Sequence, residues 1–314
     1  MAVAVGLLAT LAVLAAAWMT WHAGQPAAEL APSPVSGEPA GWMGTAPATM
    51  SASTPTSTAT VLPTQAVCDE SGGSLIKDSY TGFVSQGEIP FDAYLPPCYR
   101  QSSLDYPLLI LLHGKPFTEK QWLDLGLPAV ADRGWTDASL PPMILVMPRL
   151  PEPLFTDSDG GPGSYEDELV NGLLPALEGR FRVKPGAAER ALLGLSRGGI
   201  WSLEIGLRHP DLFSIIGALS PALAVNHPRP AYDPFRLVKG PAGVLPQLVY
   251  LGAGESDWAR PATEDLAADL AAQGIQPGLE IAPGTGHEAA TWEWLLPRAL
   301  SYLSAGWREG SEGP

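Results

Sequence analysis

Ala191-Leu192-Leu193-Gly194-Leu195-Ser196-Arg197-Gly198-Gly199-Ile200-Trp201 is the stretch from which the fold can be read. A short apolar run, 191–193, meets Gly-x-Ser-x-Gly, and a run of helical character follows over 198–209. A strand that turns sharply into a helix lifts its serine above a parallel sheet, the arrangement called a nucleophile elbow. The turn is tight, so the serine's neighbours must be small. Gly194, Gly198 and Gly199 lack the Cβ that would clash there. Ser196 would also stand at a helix N-terminus, whose partial positive charge favours a developing anion. The competing reading is a glycine-rich turn with a bystander serine. The motif alone does not separate the two.

The rest of the chain does. Residues 107–112, 142–147, 190–194, 214–219, 247–252 and 278–282 are short apolar runs of the kind covered on both faces in a parallel sheet. Helical patterns separate them, over 119–133, 164–180, 198–209, 260–273 and 288–305. That alternation predicts a parallel sheet with right-handed crossovers. Ahead of it, 79–86 and 89–95 read as two strands joined at Gln86-Gly87-Glu88, an antiparallel hairpin. Ser164 and Asp167 have capping-box spacing at the start of one helix.

A serine nucleophile needs a base, an acid that orients the base, and donors for the oxyanion. His287, in Pro283-Gly284-Thr285-Gly286-His287, is the one histidine in a loop after the last strand candidate. Leu251-Gly252-Ala253-Gly254-Glu255-Ser256-Asp257 supplies two acids at a strand end, with Asp257 favoured and Glu255 the alternate. Oxyanion donors are expected from the Arg197 N–H and from the loop after Leu111-Leu112-His113-Gly114. Pro116 has no N–H, so Lys115 is the favoured donor, with Gly114 behind it. His113, also a candidate to line the pocket, is expected to brace that loop. Trp201, Trp258 and Trp292 lie near the three triad positions in sequence, and at least one is expected to line the pocket.

The N-terminal part has a different character. Residues 2–21 carry no charge, and as a helix they would span about 30 Å, the thickness of a bilayer core. Residues 1–24 are therefore expected to be a cleaved signal peptide or a membrane anchor. Residues 25–66 are rich in Pro, Ser, Thr and Ala and cannot bury enough apolar surface to offset their ordering entropy. They read as a disordered linker. Residues 67–308 are then the catalytic domain and 309–314 a tail. Cys68 and Cys98, the only cysteines, are expected to form a disulfide in an exported chain. Two distant cysteines do not make a metal site. The formal net charge of −15 argues against nucleic acid and against anionic membrane surfaces as partners.

From about Cys68 to Trp307 the chain resembles an esterase family of α/β-hydrolases that includes enterochelin esterases, S-formylglutathione hydrolase and the mycolyltransferases of the antigen 85 group. The residues that carry the likeness are Tyr94-Leu95-Pro96-Pro97-Cys98-Tyr99, Leu111-Leu112-His113-Gly114 with Trp122, Gly161-Pro162-Gly163-Ser164-Tyr165, Gly194-Leu195-Ser196-Arg197-Gly198-Gly199, and Gly286-His287 with Trp292. The resemblance implies an α/β-hydrolase fold with helices on both faces of the sheet, and a Ser196-Asp257-His287 triad. It adds weight to Asp257, because the family's acid stands three positions after the glycine matching Gly254. Lys115-Pro116 departs from the family's usual glycine-rich oxyanion loop, and Glu288 stands where some members have Asp.

The expectation is a serine carboxylic-ester hydrolase acting outside the cytoplasm on a small-molecule, lipid or sugar ester, with no metal or organic cofactor. Acyl transfer to an alcohol, as in the mycolyltransferases, would use the same residues. A tethered, non-catalytic binding module on the same fold is the reading from another class.

Overall fold

The structure, a computed structural model, describes residues 68–240 and 245–308. The expected signal or anchor (1–24), the linker (25–66) and the tail (309–314) lie outside these residues. The apolar runs form β1 (Ser74–Thr81), β2 (Glu88–Leu95), β3 (Leu108–Leu112), β4 (Ile144–Pro148), β5 (Arg190–Leu195), β6 (Ile215–Leu219), β7 (Leu248–Gly254) and β8 (Gly278–Ala282). They make one sheet in the order β1-β2-β4-β3-β5-β6-β7-β8. β1 and β2 are antiparallel to their neighbours, and all other pairs are parallel.

Side chains alternate across each strand, and both faces are apolar because both are covered. Leu109, Leu111, Leu193 and Leu195 point to one face, where they meet Leu127 of α1 (Leu127–Thr136) and Leu295, Leu296 and Leu300 of α5 (Ala289–Leu303). Leu108, Ile110, Leu112 and Leu192 point to the other, against Leu174 and Leu177 of α2 (Leu174–Arg180) and Trp201 and Ile205 of α3 (Arg197–Arg208). Further along that face, Val249 and Leu251 meet Leu266 and Leu270 of α4 (Arg260–Ala272). The chain leaves β3 in one direction to β4 and returns on the other side as β5. That reversal opens a crevice at the carboxyl ends of β3 and β5, where open α/β sheets bind ligands.

Three local expectations shift. β1 spans Ser74–Thr81, five residues before the expected 79–86. The reason is Glu168, a fully buried residue whose carboxylate accepts the N–H groups of Phe83 (2.7 Å), Val84 (3.0 Å) and Ser85 (2.9 Å). Those residues satisfy their backbone on a side chain and not on a strand ladder. The helix expected over 119–133 is two pieces, Gln121–Asp124 and α1, parted at Gly126 with φ 80°. Ser164 does cap its helix, accepting from Asp167 N–H, but the Asp167 carboxylate turns to Gly163 N–H at 2.7 Å and leaves the box half made.

Cys68 and Cys98 form the expected disulfide, with Cα atoms 5.7 Å apart. It ties the start of the described chain to the residues just after β2. Glu70 beside it accepts from Cys98 N–H at 2.8 Å. These three side chains are the one metal-type grouping among the described residues, and the disulfide already occupies both sulfurs. No helix of the described residues is long and apolar enough to cross a membrane.

Two buried acids give tests. Glu168→Gln leaves one acceptor oxygen for three donors and turns an NH2 group toward them. Loss of about 2–3 kcal/mol of unfolding free energy is expected in urea denaturation, the scale of hydrogen bonds to a charged group. Glu204, on α3, is 1% exposed, and its Oε1 has no hydrogen-bond partner among the described residues. Burial, with the Glu166 carboxylate nearby, pushes it up to about 9. The native state then keeps a proton that the unfolded chain loses from about pH 4.5 upward, so stability falls as pH rises toward 9 and is flat above. Glu204→Gln should remove this dependence: its urea midpoint relative to wild type should rise between pH 5 and pH 9.

Candidate active site

The site is built at the β5–α3 turn. Ser196 takes φ 52° and ψ −111°. A Cβ on Gly194 would lie 2.0 Å from Gly198 O, and one on Gly198 would lie 2.4 Å from the carbonyl oxygens of Leu112 and His113. Only glycine fits at either position, because the obstacles are backbone. Ser196 N–H donates to Leu219 O at 2.8 Å, which pins the turn to the end of β6. Its own carbonyl accepts from Gly199 and Ala222 N–H. The side chain is left at the cavity floor, 9% exposed.

His287 Nε2 lies 3.0 Å from Ser196 Oγ, and His287 Nδ1 lies 2.9 Å from Asp257 Oδ1. Asp257 is buried, and it also accepts Ala259 N–H at 2.8 Å. Burial pushes its carboxyl up, but the hydrogen bonds from His287 and the Ala259 N–H, with the Ser220 hydroxyl nearby, outweigh it and hold it below the usual carboxylate range. Glu255 turns elsewhere: its carboxylate accepts Gly284 N–H at 2.7 Å and braces the loop that carries the histidine. The two loops are further joined by Glu255 N–H to Ala282 O and Ser256 N–H to Thr285 O, both at 2.9 Å. Glu288 is occupied by Gly286 N–H at 3.0 Å. Of the other histidines, His209 pairs with Glu166 at 2.6 Å, and His227 is exposed.

After β3, His113 is buried beneath the loop. Its Nε2 accepts Leu150 N–H at 3.0 Å, so the ring proton sits on Nδ1, which donates to Gly114 O at 3.0 Å. Burial pulls its basicity down to about 4, so it stays neutral. Gly114 N–H is spent on Gln121 Oε1 at 2.8 Å. Gly114 O is held by His113 and by Phe117 N–H, so the Lys115 N–H of the same planar peptide points the opposite way. Lys115 and Arg197, the first residue of α3, both line the cavity over Ser196.

A cavity of about 350 Å³ opens over Ser196, lined by Lys115, Thr156, Arg197, Val225, Asn226 and Trp258 among others. Its wall is fastened by the Arg197 guanidinium, which donates to the carbonyls of Phe155 (3.0 Å), Thr156 (3.0 Å) and Ser158 (3.1 Å) and to Asn226 Oδ1. Of the three tryptophans singled out in the sequence, only Trp258 lines this cavity. Trp201 is buried under the wall, with Nε1 on Phe155 O at 3.1 Å. Trp292 is buried edge-on to His287 and donates to Ser220 Oγ at 3.1 Å. Ser220, Gln121 and Asn226 escaped the sequence reading. Ser220-Pro221 after a strand is a faint signal for the first; nothing local marks the other two.

Comparison with known proteins agrees with this architecture. A ferulic acid esterase structure superposes with TM-score 0.67 at 22% identity, covering 75% of this chain and 99% of that one. An S-formylglutathione hydrolase from Staphylococcus aureus superposes with TM-score 0.62 at 16% identity, covering 74% and 99%. In sequence, an endo-1,4-beta-xylanase/feruloyl esterase of Xylanibacter ruminicola is 28% identical over 202 residues, which is 63% of this chain and 26% of that protein. The fold is that of an α/β-hydrolase. The model of the ester-hydrolase family described as Putative esterase matches residues 84–303, and the chain belongs to that family.

Proposed function

We propose that this protein is a serine carboxylic-ester hydrolase whose residues 67–308 form the catalytic domain, with Ser196 as nucleophile, His287 as base and Asp257 as the orienting acid. The observation that carries the reading is the continuous relay from Ser196 Oγ to His287 (3.0 Å) to Asp257 (2.9 Å). Ser196 Oγ attacks the ester carbonyl as His287 Nε2 takes its proton. The ionised Asp257 fixes the proton on Nδ1 and stabilises the imidazolium. The N–H groups of Lys115 and Arg197 receive the oxyanion, the first of them aimed by the hold of His113 on Gly114 O. His287 then returns its proton to the departing alcohol, leaving an acyl group on Ser196. Water attacks that acyl-enzyme by the same steps in reverse.

The substrates are small-molecule esters, and feruloyl esters are the first to try, since two of the similar proteins are named for them. The disulfide fits an oxidising compartment, which supports work outside the cytoplasm.

Ser196→Ala should lower kcat on p-nitrophenyl acetate by about 10⁴-fold or more with an unchanged melting temperature, and should abolish fluorophosphonate labelling. Retained activity would mean another nucleophile. Asp257→Asn should cost about 10³–10⁴-fold in kcat, since the wrong histidine tautomer is then favoured. Glu255→Gln, which touches only the histidine loop, should cost less than about tenfold. The opposite ranking would move the acid to Glu255.

A further inference from the structure

The relay gives no role to the largest exposed side chain at the site. Trp258 follows Asp257 directly, is 44% exposed, and lines the cavity over Ser196. The other described tryptophans are buried or half-buried. Its ring centre lies 4.5 Å from that of His287, with the planes 31° apart. Leaving so much indole in water forgoes the gain from burying it.

Its place in the site follows from where protons go. His287 Nε2 must reach the oxygen of the leaving alcohol, so the alcohol departs beside the imidazole. The carbonyl oxygen lies instead toward Lys115 and Arg197 N–H. A ring packed on the imidazole therefore borders the alcohol side. Val225, 66% exposed, also lines this cavity and adds apolar surface to it. An indole offers a flat π face with one N–H at its edge, so it favours partners that can lie flat against it.

We infer that Trp258 is the platform for the alcohol portion of the substrate and selects alcohols carrying a ring with an apolar face. A pyranose laid on its C–H face and an aryl ring both meet that description. The inference rests on the proposed serine mechanism.

Three acetates of primary alcohols share the acyl group and an unactivated leaving group: ethyl acetate, benzyl acetate and methyl 6-O-acetyl-glucopyranoside. Trp258→Ala should lower kcat/KM on at least one ring ester by roughly tenfold, the scale of one aromatic contact, mainly through KM. On ethyl acetate the loss should be under about threefold. Trp258→Phe should restore most of the ring-ester activity. Loss on the glucoside alone assigns the platform to sugars, and loss on the benzyl ester alone assigns it to aryl alcohols. An equal loss on all three esters, or no loss on either ring ester, overturns the inference. Failure of the underlying mechanism is separable: wild-type protein would then show no fluorophosphonate labelling of Ser196, and both readings would fall.

Discussion

The Ser196 backbone, at φ 52° and ψ −111°, sits where a residue with a Cβ pays roughly 1–3 kcal/mol of strain. The structure holds it there from three directions. Leu219 O takes its N–H, Ala222 N–H takes its carbonyl, and Gly194 and Gly198 leave room for the chain to double back. Relaxing that one residue would draw Ser196 Oγ away from His287 and swing the Arg197 N–H off the crevice. The central strands are the counterweight. They are buried on both faces, and their registers fix the ends of β3, β5 and β6 relative to one another. A rigid sheet can store strain at its rim because its interior packing does not yield.

The second dependency is between loops distant in sequence. Asp257 and His287 are 30 positions apart and meet because the loops after β7 and β8 run against each other. Gly254 is the hinge of that approach: a Cβ there would lie 2.6 Å from Thr285 O. Glu255, though not facing the histidine, contributes by bracing Gly284. The acidic loop therefore carries two carboxylates with divided work, one directed at the imidazole and one at the backbone that presents it.

Much of this was legible in the sequence because the functional residues follow apolar strands at glycine-marked ends. The order serine, acid, histidine and the spacing of strands and helices led to the α/β-hydrolase reading; the parallel strands and the disulfide are where that reading puts them, and the hairpin is present with its first strand five residues early. What was not legible depends on partners far along the chain. Glu168 reaches back 83 to 85 positions to take three N–H groups, so β1 ends earlier than its apolar pattern suggests. Gln121 and Ser220 act on Gly114 and Asp257 through side chains that no local pattern marks. The tryptophans show a different limit. Nearness in sequence to Ser196, Asp257 and His287 did not say which way each ring faces. Trp201 and Trp292 went into the core, and only Trp258 into the cavity.

The cavity wall is fastened by its own main chain. Arg197 grips the carbonyl oxygens of Phe155, Thr156 and Ser158, and a carbonyl is present whatever side chain the residue bears. The clamp comes from the residue beside Ser196, so a chain that keeps Arg197 keeps the fastening whatever side chains stand at positions 155, 156 and 158. The segment can then drift in sequence, and change what it shows to a bound ester, without coming loose from the machinery that cleaves it. Holding a wall through atoms that every residue carries is one route by which a single hydrolytic apparatus could be re-fitted to many esters.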